Sequence, residues 1–382
     1  MKNIILHIGM HKTGSSSIQA ALNGFDDGNS KYADLGVENH SIPFYTAFSK
    51  HYLNYHIWTR RGFTKSTIQE KREYYFNKIV KTLQQNTHNS LIFSGEDISY
   101  LLEDEIIVIR NLLKKYSDEV YVYAYFRHPV NFVQSATAQL IKDGNNKLHQ
   151  LRYKNLFEKF INVFGESYVK LRFYDKKMLI DGDVTKDFFG WLEASLPKSV
   201  TKSENVSPST AAIKCIYLLN KSNPLTKGDT LLSRARSDFI DILEEVFPGT
   251  LEIPSNIIHD ALDMGDVSWM ENISGVKFNL EPSNKPIQYT SLDEFMSDIS
   301  DGVVDVLIDY LKGEKVYEDF DREPIKLMNR IYYLCLCNNT LKVKDFQFSA
   351  ERYLELNPDV KAAGSNPYIH FLLHGMKEGR KF

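Results

Sequence analysis

Residues 4–18 read IILHIGMHKTGSSSI, and no other stretch constrains the fold of the chain as strongly. An apolar run reads as a first strand over 4–8 and leads into a loop bounded by Gly9 and Gly14. The loop passes directly into a segment with helical spacing, residues 15–23, where Ile18, Ala21 and Leu22 share a face and Gly24 is placed to cap the end. Strand, glycine-bounded turn and helix start, in that order, make an anion site. Backbone N–H groups of the loop and of the first helical turn point at one spot, and the helix dipole favours negative charge there. Lys12 adds a mobile positive charge, and Thr13, Ser15, Ser16 and Ser17 add hydroxyl donors. The lysine position then narrows the type. A nucleoside-triphosphate loop, G-x-x-x-x-G-K-[ST], has lysine directly after its second glycine. Here Ser15 follows Gly14 and Lys12 precedes it by two, so the magnesium-holding Lys-Ser/Thr pair is missing. The dinucleotide pattern G-x-G-x-x-G is missing as well.

Strand-like and helix-like segments alternate beyond this point. Helical spacing covers 68–85 and 104–115, the latter with Ile107, Ile109, Leu112 and Leu113 apolar. Short strands are read at 90–94, 120–126 and 168–174, with a helix at 131–142 between the last two. Residues 38–65 read as aromatic and irregular. The alternation predicts an α/β fold, a doubly wound parallel sheet with helices on both faces, whose ligands bind beyond the carboxyl ends of the strands. From 205 to 312 the pattern is mostly helical, with an extended stretch at 276–290. A further apolar helix spans about 324–337. The expected division is an α/β domain over 1–312, a helical linker over 313–345 and a small helical module over 346–382.

A second element stands at another strand end. Residues 123–135 read YAYFRHPVNFVQS: Arg127 closes a strand, Pro129 opens a helix without losing a needed N–H, and Ser135 follows two turns later. The planar fork of an arginine grips phosphate in a bidentate way. The pattern H-x-G-x-x-K-T-G-S-S-S, with this Arg…Ser element, resembles the sulfotransferases that use 3′-phosphoadenosine-5′-phosphosulfate (PAPS), most of all the bacterial carbohydrate-type members. The resemblance implies a P-loop-like core. It implies that Lys12, Thr13, Gly14, Ser15, Ser16 and Ser17 hold the 5′-phosphosulfate, and that Arg127 and Ser135 hold the 3′-phosphate. A fainter match, Asn205 and Ser207 in ENVSPS, falls near the cofactor in such enzymes; Ser207 before Pro208 reads equally as a plain helix cap. Residues 346–382 resemble a short helical module appended to bacterial polysaccharide glycosyltransferases, and read equally as a helical hairpin packed on the rest.

Sulfuryl transfer needs a base for the acceptor, an in-line geometry and stabilisation of the leaving phosphate oxygen, a logic shared with phosphoryl transfer. Lys12 is the natural partner of the leaving oxygen. Glu96 directly follows the strand at 90–94, so it emerges at the sheet end carrying the other two motifs and is the first candidate base; family members often use a glutamate or histidine from this region. Its competing role is to cap the next helix together with Asp97. His11, inside the loop, is the alternative base, and His7 reads as a packed core residue. His40, His56 and Arg60 in the aromatic segment read as candidate acceptor contacts. The sulfuryl group carries less charge than a phosphoryl group, so no metal is expected. Cys215, Cys335 and Cys337 make neither a disulfide framework nor a metal set and read as buried thiols. A net charge of −3 gives no field for nucleic acid. No apolar run is long enough to span a bilayer and no leader is evident, which reads as a cytoplasmic protein compatible with peripheral membrane contact. The expected partner is a carbohydrate or glycolipid acceptor. The alternatives are a P-loop kinase or other nucleotide-binding enzyme, and a non-catalytic protein that binds the product 3′,5′-adenosine bisphosphate (PAP).

Overall fold

A computed structural model describes residues 2–196, 208–225, 230–280, 288–314, 321–341, 348–365, 367–375 and 378–382. The chain packs as two compact units. The first takes residues 1–136, 149–205 and 258–283, and the second takes 137–148, 206–257 and 284–382. Asn205 and Ser207 lie outside the described residues.

The first unit is the α/β one. Its elements in chain order are β1 (Asn3–His7), α1 (Ser15–Leu22), β2 (Ser30–Tyr32), α2 (Ser41–Phe48), α3 (His56–Arg61), α4 (Lys65–Gln85), β3 (Ser90–Ser94), α5 (Glu103–Leu113), β4 (Glu119–Phe126), the start of α6 (Pro129–Lys142), α7 (Tyr153–Phe164), β5 (Val169–Phe173) and α8 (Val184–Trp191). The strands form one parallel sheet in the order β2-β3-β1-β4-β5. The first strand in sequence is therefore central. His7 pairs with Ser94 of β3 on one side and with Tyr123 of β4 on the other. The chain fills one flank of β1 and then crosses to the other, so the turns after β1, β3 and β4 open around a switch point, where an α/β sheet offers its crevice.

Alternation explains why both faces are covered. Ile5, Ile92 and Tyr125 face one way and pack with Ile18, Ala21 and Leu22 of α1 and Val184, Phe188 and Phe189 of α8. Ile4, Leu6 and Phe126 alternate to the other face and are also buried. There Phe126 and Phe173 meet Phe278, which stacks on Tyr153 of α7. A strand buried on both faces reads as near-continuous apolar sequence, which is why β1, β3 and β4 are conspicuous. β2 is a three-residue edge strand and carries no such signal.

Two expectations are corrected. Residues 38–65 are mostly helical: α2, a 3-10 turn at Tyr52–Asn54, and α3. Phe44, Ala47, Phe48 and Trp58 are buried, and the Trp58 indole N–H donates to Thr46 Oγ1 at 3.1 Å. Pro43 disguises α2, but it sits in the first turn, where no intrahelical N–H is lost. In α5 the buried stripe is Ile106, Ile109 and Leu113, whereas Ile107 and Val108 are exposed.

The described part of the second unit is helical: the end of α6, then α9 (Thr210–Ser222), α10 (Thr230–Val246), α11 (Ser255–His259, its last two residues in the first unit), α13 (Leu292–Ser297), α14 (Asp301–Gly313), α15 (Pro324–Leu341), α16 (Ala350–Leu356) and α17 (Pro358–Ala362). Helix α12 (Met264–Ser274) belongs to the first unit. Arg236 is buried and satisfies the last carbonyls of α6, Ile141 and Lys142, while donating to Asn220 Oδ1. Near the C-terminus, Phe348, Tyr353 and Phe371 form a small aromatic centre, and Arg380 ties Asp359 to Glu378. Cys215 and Cys335 are buried free thiols.

Candidate active site

The loop after β1 stays pinned to β4. Ile8 N–H donates to Tyr123 O (2.9 Å), Met10 N–H to Tyr125 O (2.8 Å), and Tyr125 N–H to Gly9 O (2.7 Å). On the β3 side Gly95 N–H donates to His7 O at 2.9 Å. Between these anchors the backbone turns sharply, with left-handed φ at Gly9 (91°), Lys12 (63°) and Gly14 (78°). Both glycines are also required by close approach. A Cβ on Gly9 would sit 2.8 Å from Glu96 Cβ, and one on Gly14 would sit 2.7 Å from Val184 Cγ1.

The loop hydroxyls divide their labour. Thr13 is fully buried and its Oγ1 donates to Met10 O at 2.6 Å; Ser15 Oγ reaches the same carbonyl at 3.3 Å. Those two hydroxyls, read from sequence as ligand donors, are bound to the loop itself. Ser16 is exposed and Ser17 half-buried. Gly14 caps α1 with no side-chain hydrogen bond, so the first N–H groups of that helix are left for another acceptor.

Arg127 leaves the end of β4 and comes to this loop. Its Nη1 donates to Lys12 O at 3.2 Å, its guanidinium lies 5.8 Å from the Tyr174 ring centre, and its own carbonyl accepts from the Tyr153 hydroxyl. It is half-buried, burial lowers its pKa from the ordinary value, and it has no carboxylate partner among the described residues. Ser135, two turns into α6, is half-buried and makes no side-chain hydrogen bond among the described residues.

The turn after β3 supplies carboxylates. Glu96 accepts from Gln19 Nε2 (2.8 Å) and from Asn39 Nδ2 (3.0 Å), one amide on each oxygen. Asp97 is buried and differently connected. Its Oδ1 lies 2.8 Å from His11 Nε2, its Oδ2 accepts from the Tyr55 hydroxyl at 2.5 Å, and its backbone N–H donates to Ser41 Oγ at 3.0 Å. The His11 ring stacks on Tyr100, centroids 5.3 Å apart. Burial pulls the His11 pKa down, but the hydrogen bond and charge of Asp97, together with the charge of Glu96, leave it above the ordinary value. Burial pulls the Asp97 carboxyl up, and His11 and Tyr55 leave it below the usual range. Burial and the Asp97 charge raise the Tyr55 phenol, which keeps its proton and donates. A carboxylate accepts only, so the proton of the His11–Asp97 bond is on Nε2 and Nδ1 is left to exchange a proton elsewhere.

Two other histidines sit deeper. His7 is fully buried with Nδ1 2.7 Å from Ser94 Oγ, and His40 stacks on Tyr32 and accepts from Ser94 N–H. Burial pushes both pKa values down to about 3, so both are neutral core residues, and His40 is no acceptor contact. His56 and Arg60 are exposed.

The structure thus gathers Lys12, His11, Glu96 and Arg127 around one sheet end. It adds four residues that the sequence did not mark for the site: Tyr55, Gln19, Asn39, and Asp97 as a histidine partner. Asp97 had a local signal, an acid three residues beyond a buried strand; Tyr55 lies 42 residues from its partner and had none. No group of three metal-ligating side chains occurs among the described residues, and no helix among them is long and apolar enough to cross a membrane.

No family model matches the chain. No curated protein matches it. Among solved structures, a sulfotransferase from Alicyclobacillus acidocaldarius aligns with 11% identity over 58% of this chain and 93% of that one, at a TM-score of 0.31. A likeness that shallow transfers no residue role from one chain to the other.

Proposed function

We propose that the chain is a sulfotransferase that moves a sulfuryl group from PAPS to a hydroxyl or amine of a carbohydrate, such as a bacterial surface glycan or glycolipid intermediate. The observation that carries this reading is Arg127. It is half-buried, it bonds the loop at Lys12 O, and it has no counter-charge among the described residues. A cation kept out of water without an acid beside it fits a site that receives an anion. The uncapped start of α1 and Lys12 offer a second anion position beside it, and two anion positions suit a 3′,5′-bisphosphate. Ser16, Ser17 and Ser135 are assigned to add hydroxyls to the cofactor, and Asn205 and Ser207 are assigned to it by resemblance alone.

PAPS supplies the sulfuryl group. In the step, the acceptor oxygen forms a bond to sulfur, the bond from sulfur to the bridging phosphate oxygen breaks, and its electron pair stays on the phosphate. Lys12 stabilises that charge. The acceptor proton goes to His11 Nδ1. The resulting imidazolium is stabilised by Asp97, which Tyr55 holds in place, the arrangement by which a carboxylate assists a histidine base. Glu96 is the second candidate. Both its oxygens already accept amide hydrogens, so a proton arriving there competes with Gln19 or Asn39. We therefore assign the base role to His11 and give Glu96 the task of buttressing the loop at Gly9.

Calorimetry without metal tests the reading. PAP should bind tightly, and AMP and ATP weakly. Equal affinity for AMP would remove the role given to Arg127, and magnesium-dependent ATP binding would point to a kinase instead. PAP binding without turnover on any glycan would leave a non-catalytic binding protein.

A further inference from the structure

A groove of about 730 Å³ lies between α4 and the edge strand β2, within the size range of ligand sites. None of its lining residues belongs to the Gly9 loop, to Arg127 or to the turn after β3. Helix α4 explains its chemistry. Ile68, Tyr75, Ile79 and Leu83 form the buried stripe of that helix, while Tyr74, Lys78, Lys81 and Gln85, at helical spacing, present another stripe to the groove. From Tyr74 to Gln85 the helix advances about 16 Å, so the groove is elongated along it.

Its lining sets three lysines, Lys31, Lys78 and Lys81, against one carboxylate, Asp34. Lys78 approaches Asp34 only to 3.8 Å, Lys31 leans to Asp26 at 3.2 Å, and Lys81 has no ion pair among the described residues. Tyr74 is 50% exposed, and its ring has the ammonium groups of Lys71 and Lys78 near it, 5.6 and 6.0 Å from the centroid. Most of the rest is amide or hydroxyl, Asn77, Thr82 and Gln85 among them, with Ala33 and Leu91 the aliphatic contributions.

We propose that this groove is a second binding site, for an acidic oligosaccharide carrying carboxylate or sulfate groups. An aromatic face packs against the C–H face of a sugar ring. Amides and hydroxyls can both donate to and accept from its hydroxyls. Lysines supply mobile positive points for acid groups spaced along a chain. A nucleic acid would need a wider basic field than a chain of net charge −3 provides. The site is independent of the sulfotransferase reading, because the two share no residue.

Fluorescence anisotropy on the full chain tests it with three labelled hexasaccharides: a heparin fragment bearing sulfates, a hyaluronan fragment bearing carboxylates only, and neutral maltohexaose. At least one acidic probe should bind, more weakly as salt rises, while maltohexaose does not; which of the two binds identifies the acid group. The double variant Lys78→Ala/Lys81→Ala should weaken acidic binding about tenfold. Lys78→Arg/Lys81→Arg should restore it, and Tyr74→Ala should weaken it several-fold. All three side chains lie on the surface stripe of α4, so an unchanged melting temperature confirms that the variants fold. PAP affinity, measured separately, should not change in any of them. Equal binding of maltohexaose, no binding of either acidic probe, or undiminished binding by the double alanine variant overturns the proposal. So does a single-stranded oligonucleotide that binds as tightly as the acidic probe and is lost in the same variant.

Discussion

The turns after β1 and β3 stand at the same end of the sheet and use their residues in opposite ways. After β1 the hydroxyls of Thr13 and Ser15 serve the backbone. Thr13 and Ser15 donate to Met10 O, and the start of α1 is left uncapped by any side chain. After β3 the backbone turn serves the side chains. Gly95 packs so closely on Ser41 that an added Cβ would sit 2.3 Å from the Ser41 nitrogen, and Glu96 and Asp97 emerge with their oxygens held by partners from other elements. The contrast has a physical basis. Fixed dipoles hold an anion without any change of protonation. Moving a proton takes a titratable group whose orientation and charge are governed by a neighbour.

The proton-handling pair spans both turns, His11 from the first and Asp97 from the second, and removing it while leaving the backbone dipoles intact is the sharpest way to separate the two tasks. His11→Ala should lower turnover by about 10²–10⁴-fold, the usual contribution of general base catalysis, with PAP affinity nearly unchanged. A comparable fall in PAP affinity would make His11 part of the anion cradle and remove its separate role as base. The same residue fixes a pH dependence. A histidine whose pKa is raised must lose its proton to act as base, so turnover should rise with pH through a value above 6.5. Asp97→Asn removes the cause of the rise and should move that limb to lower pH. In stability the sign is reversed: the His11–Asp97 contact contributes fully below pH 6.5 and is lost as pH rises through the folded pKa.

The converse test is Arg127→Ala, which should weaken PAP by about 2–4 kcal/mol, measured by calorimetry, as a charge-assisted bidentate contact is lost. Equal loss for AMP would place Arg127 away from the second phosphate. Gly14→Ala should cost about 1–3 kcal/mol of stability in denaturant unfolding, because φ is +78° and Val184 blocks the new methyl. A neutral outcome would mean that the loop relaxes and is not fixed as an anion cradle.

His7, four residues before His11, gives the next contrast. His7 and His40 are buried neutral with pKa values near 3, so the unfolded chain binds more protons than the folded one below pH 6.5. Each should lower stability by about 1.4 kcal/mol per pH unit as pH falls below that value, and a Ser94→Ala variant should leave the slope in place. Smallest is Glu96→Gln, for which turnover within about tenfold of the parent is expected, since a buttress of similar shape remains. Abolished turnover would transfer the base role from His11 to Glu96.

Much of this site was legible before the fold. The apolar runs of β1, β3 and β4 announced buried parallel strands, and residues in the turns after such strands, Lys12, Glu96 and Arg127, had to emerge at one sheet end. The hydroxyl roles were not legible. Thr13 and Ser16 look alike in sequence, and only the path of the loop over Met10 turned one inward and left the other outside. Tyr55 was hidden for a different reason. Its segment looked irregular because Pro43 and three histidines interrupt the apolar spacing, and its partner Asp97 is distant in sequence. The groove along α4 was hidden too, since its lysines look like an ordinary solvated helix face until β2 is set opposite them.

By itself the sequence determined the local chemistry: a strand, a left-handed loop and a helix start that must expose N–H groups, and an arginine at a strand end. Spacing and conformational preference act within a few residues, so they can be read along the chain. The tertiary structure alone decided that β1 is central, that β3 and β4 flank it, and that Asp97 faces His11 across 86 residues of chain. Those outcomes depend on which faces bury together, a property of the whole packed unit.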